Sequence, residues 1–268
     1  MSKVKFSSFN VRGLNSHIKK KCLVEDCRRY GIDLMAIQET KIAEGCDMMI
    51  DGYRLISIEA KCRHYGNGFV IAPRMVDRVH RFAKISERVS ILQIKVSECQ
   101  GGKIMSFISG YGPTMQRVQK DEDEAEAFYS DLDRALKFSQ SDLHFIGADF
   151  NSKLGQRREG EEMFMGKHCR GHRNSNGDFM ARFMIENDMF AANTAFDHRA
   201  RHRTSWTGKR RIMATSKLVP IFNQIDYILC PGSKKGMLVN ARSYGGATVI
   251  SDHKVVVAEF DFNRLFSI

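Results

Sequence analysis

Apolar residues along this chain fall into short runs separated by polar turns, a spacing that suits strands better than long helices. VKFSSFN, LMAIQE, GFVIA, RVSILQIKV, KIMSFISGY, LHFIGADF, QIDYILC, LVNARSY and KVVVAEF all read as strands. Helical periodicity is clearest over Lys19 to Tyr30, Asp121 to Ser139 and Gly177 to Asn187. The second of these opens on DEDEAE, where acids complement the positive end of a helix dipole, and repeats Phe128, Leu132 and Leu136 along one face. NSNG ahead of the third supplies a cap. Many strands with few interleaved helices predict an α+β sandwich of two packed sheets with helices outside. No repeat of solenoid period and no low-complexity tract breaks this pattern.

Several of the strands end on polar groups. FIGADFN runs from a core strand straight into Asp149 and Asn151. FNVRGL carries Asn10, AIQET carries Glu39, SGYGP carries Tyr111, NQIDYIL carries Asp226, and ISDHKVV carries Asp252 and His253. Each alone has a structural explanation as a turn, a cap or a satisfied loop residue. Together they matter more, because a carboxylate at the end of an apolar strand is unfavourable unless it is paired or bound to a cation. Hard carboxylate and amide oxygens without a Cys/His cluster suit Mg²⁺ or Mn²⁺ rather than zinc. KHCRGH (His168, Cys169, His172) lacks a second ligand pair and reads as a mobile basic loop.

Composition sharpens the picture. A chain of 268 residues with 43% hydrophobic content can bury a large core, and no Pro- or Ser-rich linker divides it, so one domain over 1–268 is expected. The net charge of +11 favours a polyanionic partner such as nucleic acid, with a membrane surface or simple solubility as the other accounts. Cys22, Cys27, Cys46, Cys62, Cys99, Cys169 and Cys230 form an odd set with no C-x-x-C pair, which fits a reducing compartment. The first residues lack the apolar stretch of a secretory signal, and no run approaches a membrane span. An intracellular, soluble protein is expected.

The ordered set Asn10, QET, GYGP, GADFN, IDYIL and SDH resembles the endonuclease/exonuclease/phosphatase superfamily, and the match extends over essentially the whole chain. NSNGDFM, NTAF, TSWTGK, NQIDYILC and ARSYGGATVISDHKVVVAEF are similar to endonuclease domains of LINE-type, RTE-like non-LTR retrotransposons. The resemblance implies a DNase-I-like four-layer sandwich of two mixed β-sheets flanked by helices. It also implies a divalent-metal-dependent DNA endonuclease that nicks one strand and leaves a 3′-hydroxyl for target-primed reverse transcription.

Residue by residue, the resemblance makes Glu39 a metal ligand with Asn10 beside it, and Asp252 a further metal-proximal carboxylate. Asp149 aligns and deprotonates the attacking water, Asn151 holds a phosphoryl oxygen, His253 faces the scissile phosphate, Asp226 fixes that imidazole, and Tyr111 reaches the phosphate. Arg12 stands where other members carry an acid after Asn-Val, which leaves the number of metals open and biases the site toward DNA phosphate. The implied cofactor is Mg²⁺ or Mn²⁺, and the implied partners are double-stranded DNA and a reverse transcriptase domain or protein, acting in the nucleus.

HRARHRTSWTGKRR, His198 to Arg211, holds six Lys or Arg and no acid. Arg199, Arg201 and Arg203 alternate, so on a strand they would share one face, and Lys209, Arg210 and Arg211 follow. Trp206 either tucks into the core or packs near the cleaved nucleotide. In the related endonucleases this stretch is a hairpin near the DNA minor groove. Competing readings are an apurinic/apyrimidinic-site repair endonuclease, another phosphodiesterase of the superfamily, and a catalytically dead DNA-binding module. The basic excess opposes a small-molecule phosphatase, and the intact set Glu39, Asp149, Asp226, Asp252 and His253 opposes a dead site.

Overall fold

The computed structural model describes residues 3–61, 65–96, 103–139, 141, 143–212 and 217–265; Cys62 and Cys99 lie outside them. The chain begins with β1 (Lys3–Asn10), α1 (His17–Tyr30), β2 (Leu34–Gln38), β3 (Cys46–Ile50), β4 (Tyr53–Ser57), β5 (Asn67–Ile71) and the single turn α2 (Pro73–Val76). It continues through β6 (Val79–Lys84), β7 (Val89–Lys95), β8 (Ile104–Tyr111), the short α3 (Met115–Val118), α4 (Asp123–Phe138) and β9 (Leu143–Asp149). Last come α5 (Ser175–Glu186), β10 (Met189–Ala191), β11 (Trp206–Arg211), β12 (Leu218–Asn223), β13 (Asp226–Pro231), β14 (Leu238–Tyr244) and β15 (Val255–Asp261).

The strands form two large mixed sheets and a separate hairpin. One sheet runs β14-β15-β1-β2-β5-β4-β3, the other β10-β13-β9-β8-β7-β6, and β11 pairs only with β12. Pairing is antiparallel except for β1 with β2 and β8 with β9. Strand alternation sorts the apolar side chains into layers. On β1, Val4 and Phe6 point between the sheets, while Phe9 points toward α1. On β9, Leu143 and Phe145 point between the sheets, while Ile146 and Ala148 point toward α4 and α5. The result is the expected four-layer α+β sandwich, with Phe6, Phe107, Phe145 and Phe260 clustered in its middle.

Local chemistry explains the helix limits. Ser16 caps α1 by accepting from the Lys19 backbone N at 3.1 Å, and Gly31 ends it in the left-handed conformation (φ 63°). Asn174 caps α5 through Gly177 N at 2.9 Å, as NSNG predicts. Near the site the two sheets approach closely at Gly147, where an added Cβ would meet Ala36 Cβ and a ring carbon of Phe107, each at 3.0 Å. All nine predicted strands and all three predicted helices are present. β3, β4, β6, β10, β11 and β12 are not among the predicted strands, mostly because they are short or half-exposed strands whose apolar signature is weak, and β11, inside the stretch His198–Arg211 expected as a hairpin, pairs with β12 beyond that stretch.

Candidate active site

The two parallel pairs bring strand C-terminal ends to one edge of the sandwich. Asn10 lies opposite Gln38 in the β1–β2 ladder, so Glu39 emerges beside it. Tyr111 lies opposite Asp149 in β8–β9, and Asp226 opposite Asp149 in β13–β9. The segment before β15 adds Asp252 and His253 to the same cavity, an open space of about 460 Å³ that Glu39, Tyr111, Asp149, Asn151, Asp252 and His253 all line.

Hydrogen bonds join these groups into one network. Asn10 Nδ2 donates to Glu39 Oε1 and to Asp149 Oδ2, each at 2.9 Å, and Asn10 Oδ1 accepts from Arg12 N at 3.1 Å. Asn10 therefore ties two carboxylates together, and its oxygen is already occupied. Both oxygens of Asp226 lie 3.0 Å from His253 Nδ1, which turns Nε2 toward the cavity, 3.7 Å from Asp149 Oδ2. Asn151 N donates to Asp149 Oδ1 at 3.0 Å, while its amide Nδ2 donates to Gly112 O at 3.0 Å. Lys41 Nζ sits 3.1 Å from Glu39 Oε2, and the Tyr111 hydroxyl also bonds Glu39. Asn10, Asp149, Asp226 and His253 are at most 8% exposed, so these contacts act in a medium where they count for more than in water.

The electrostatics follow from burial and neighbours. Burial, reinforced by Asp226, pushes the Asp149 carboxyl up against the opposing pull of His253 and Asn10. Burial alone would lower His253, but Asp226 and Asp149 outweigh it and raise the imidazolium to about 9. Glu39 is also pushed up by burial, yet hydrogen bonds from Asn10, Lys41 and Tyr111 bring it below the usual carboxylate range. Burial, then Glu39 and Asp149, keep the Tyr111 phenol protonated.

Backbone strain also collects here. Arg12, Glu39, Lys41 and Asn151 adopt left-handed φ values of 48° to 56°, and they are four of the six described non-glycine residues that do so. Each such residue costs about 1–3 kcal/mol, a strain that persists where surrounding contacts fix the chain.

Two sets of atoms could hold a cation. One oxygen or nitrogen each from Asp149, Asp226 and His253 lie within 4.8 Å of one another. Within that trio His253 Nδ1 and both Asp226 oxygens are already paired with one another. The second set is Glu39 with Asp252. Asp252 Oδ2 accepts from Arg12 at 2.6 Å and from Trp206 Nε1 at 2.9 Å, whereas its buried Oδ1 has no hydrogen-bond partner and only a distant ion-pair contact with His253 Nε2 at 3.9 Å. An orphaned carboxylate oxygen on a cavity wall is what a hard divalent ion satisfies.

The basic stretch divides in two. Lys209, Arg210 and Arg211 are exposed on β11. Arg199, Arg201 and Arg203 do not share a strand face; Ala200–His202 forms a 3-10 turn, because the chain must bend back to reach the start of β11. Arg199 and Arg201 are exposed, while Arg203 is half-buried and reaches Asp197 at 3.9 Å. Trp206 is outside the core: its ring covers Gly208, where a Cβ would come within 2.0 Å of it, and its indole lines the cavity. Cys169 belongs to the core rather than to a mobile loop, and burial raises its thiol to about 11. The sequence alone did not point to Lys41, whose only signal is a cation two residues after Glu39, or to Ser205 and Asn193. The Ser205 hydroxyl accepts from Asp226 N at 3.0 Å, and Asn193 Nδ2 donates to Asp226 O at 3.0 Å, so both fix the strand that carries Asp226.

No family model matches the chain. It is 25% identical over 260 residues to craniofacial development protein 2 of Bos taurus and of Tragulus javanicus, which covers 94% of this chain. The chain spans about two fifths of the length of these curated relatives, 40% and 41%. Among solved structures it is similar to the endonuclease domain of TRAS1, a telomere-specific non-LTR retrotransposon, with a TM-score of 0.63 and 11% identity over 96% of this chain and 98% of that one. It is also similar to the AP endonuclease LMAP from Leishmania major, with a TM-score of 0.67 and 16% identity over 97% and 88%. The catalytic domain of Xenopus laevis APE2 matches with a TM-score of 0.67 and 15% identity over 95% and 91%. The chain shares the DNase-I-like fold of these neighbours.

Proposed function

We propose that this chain, as one unit over 1–268, is a divalent-metal-dependent DNA endonuclease that nicks one strand and leaves a 3′-hydroxyl. The observation that carries the reading is the continuous network Asp226–His253–Asp149–Asn10–Glu39, buried at one sheet edge yet open to a cavity. The net charge of +11 and the exposed cations of β11 support a nucleic-acid substrate.

Glu39 and Asp252 are the residues to hold Mg²⁺ or Mn²⁺, with Asn10 fixing the Glu39 carboxylate. When bound, such an ion stabilises negative charge on a phosphoryl oxygen and on the departing oxygen, and favours the ionised form of Asp149. Asp149 aligns a water and takes its proton as the water oxygen bonds to phosphorus. The bond from phosphorus to the 3′ oxygen breaks, giving a 5′-phosphate and, once that oxygen gains a proton, a 3′-hydroxyl. The imidazolium of His253, held by Asp226, opposes the charge that grows on a nonbridging oxygen. The second amide hydrogen of Asn151 is a further donor on the cavity wall, and the Tyr111 phenol would reach the phosphate by giving up its bond to Glu39.

A 3′-hydroxyl is the end a reverse transcriptase extends, so a reverse transcriptase domain or protein is the partner this reading calls for, with nuclear DNA as the target. An abasic-site endonuclease is the second reading, favoured by the similarity to the AP endonucleases of Leishmania major (TM-score 0.67) and Archaeoglobus fulgidus (TM-score 0.63). Labelled duplexes with and without one abasic analogue separate the two. A nick in the intact duplex that a polymerase extends supports the first, and cleavage confined to the abasic duplex supports the second. No cleavage of either in Mg²⁺ or Mn²⁺ rejects both.

A further inference from the structure

Among the described residues Arg12 makes one side-chain hydrogen bond, to Asp252, and its remaining donors have no assigned contact. The turn after β1 locks it: Arg12 N donates to Asn10 Oδ1, Gly13 N to Glu39 O at 2.7 Å, and Leu14 N to Thr40 O at 2.7 Å. The φ of 48° at Arg12 is a strained conformation that aims its side chain along the cavity wall. Its Nη1 meets Asp252 Oδ2 at 2.6 Å, and Asp252 is its one side-chain partner among the described residues. A guanidinium has five donors in a fixed planar fork, so most of them face open space. That space belongs to two adjoining cavities: the one of about 460 Å³ with Asp149 and His253, and a second of about 240 Å³ lined also by Lys41, Arg88 and Arg117.

Counting charge shows what this does. The formal charges of Glu39 and Asp252 are cancelled by Lys41 and Arg12, which touch them. One divalent ion then brings these four residues to a formal +2, and with ionised Asp149 and Asp226 and the imidazolium of His253 the whole site to +1, to meet a phosphodiester whose charge grows from −1 toward −2 in the transition state. A second ion would bring the site to +3: beside Asp252 it would have to displace Arg12 or Trp206 from Oδ2, leaving a guanidinium or an indole N–H unpaired, and in the Asp149–Asp226–His253 trio it would have to break the Asp226–His253 pairing.

Resting on the hydrolytic reading above, we propose that Arg12 is a catalytic residue and the site's second cation. Its guanidinium takes a nonbridging oxygen of the scissile phosphate and, by holding Asp252, it limits the chain to a single divalent ion. The competing account makes Arg12 a tether that joins the turn after β1 to the Asp252 segment and touches no substrate.

The test compares wild type with Arg12→Gln and Arg12→Lys in three measurements: Mn²⁺ bound per chain without DNA, by electron paramagnetic resonance; affinity for uncut duplex in EDTA; and nicking rate at saturating duplex in Mg²⁺. Expected are one Mn²⁺ in the wild type, duplex affinity within severalfold for both variants, nicking slowed roughly 10²-fold or more in Arg12→Gln, and partial recovery in Arg12→Lys. Two Mn²⁺ in the wild type, or Arg12→Gln nicking within about threefold of wild type, overturns the assignment. If Arg12→Gln does not fold, the wild-type Mn²⁺ count and the Arg12→Lys rate decide, with two ions or an unchanged rate against it. A wild type that binds Mn²⁺ and duplex but never nicks overturns the hydrolytic reading, whereas nicking that ignores Arg12 overturns this inference alone.

Discussion

The cavity and the β11–β12 hairpin sit side by side and are built on opposite terms. In the cavity, charged groups are buried and interlocked, so each side chain has its orientation set by another. On the hairpin, Lys209, Arg210 and Arg211 are exposed, as are Leu218 (54%) and Phe222 (55%) on the paired strand. The two meet at the hairpin's foot, where Thr207 N donates to Asp252 O at 2.9 Å and Lys254 N to Ser205 O at 2.6 Å. On the proposed reading, a rigid site joined to an exposed basic arm separates chemistry from grip. Loss of the first should abolish rate while sparing affinity, and loss of the second should do the reverse.

The largest effect should come from the network's centre. Asp149→Ala and His253→Ala are each expected to slow nicking on the order of 10²-fold or more while duplex affinity stays within severalfold. Circular dichroism and binding assays check that the fold and the grip survive. Unfolding of both variants would break the contrast, because it would make these residues core rather than site.

Next is Asn10→Asp, which puts a third carboxylate between Glu39 and Asp149. Replacing a doubly used donor with a like charge in a fully buried position should lower stability by about 1–3 kcal/mol, measured by denaturant titration, together with a loss of nicking. Stability equal to wild type would mean the two carboxylates do not need that bridge.

A pH series sharpens the electrostatic half. His253 is raised to about 9, above its ordinary value near 6.5. Its contribution to stability is thus complete below pH 6.5 and fades as pH rises through about 9. Nicking should fall over the same alkaline limb, and that limb should vanish from the stability profile of His253→Gln. An alkaline limb unchanged in His253→Gln would assign it to another group.

The smallest effect on rate should come from the arm. Lys209→Ala, Arg210→Ala and Arg211→Ala combined should weaken duplex binding and flatten the dependence of log affinity on log salt by about 2–3, with the saturated nicking rate within a fewfold of wild type. An unchanged salt slope would remove the arm from the DNA path.

How much of this the sequence revealed differs between the two regions. The cavity was legible because apolar strands that stop on Asn10 and Asp149, and one that starts on Asp226, announce polar groups at a sheet edge, and two parallel ladders bring the first two ends together. Asn10 was legible only as a candidate; that its amide bridges two carboxylates depends on register between segments far apart in the chain. The arm was harder to read. Arg199, Arg201 and Arg203 alternate as strand residues would, but tertiary geometry turns Ala200–His202 into a 3-10 bend. Trp206 looked equally suited to core or surface, and its bond to Asp252 is a contact between residues 46 positions apart. The edge strands β3 and β6 escaped notice because one exposed face and scattered polar residues erase the alternation that buried strands keep.

The central claim is that the residues joined around Asp149 cut a phosphodiester with the help of one hard cation. The most direct measurement incubates supercoiled plasmid with wild type and with Asp149→Asn, in Mg²⁺ and in EDTA, and resolves the forms on a gel. The account predicts open-circular plasmid from the wild type in Mg²⁺ alone. Plasmid retarded but intact with the wild type in Mg²⁺, or nicked equally by Asp149→Asn, would contradict it.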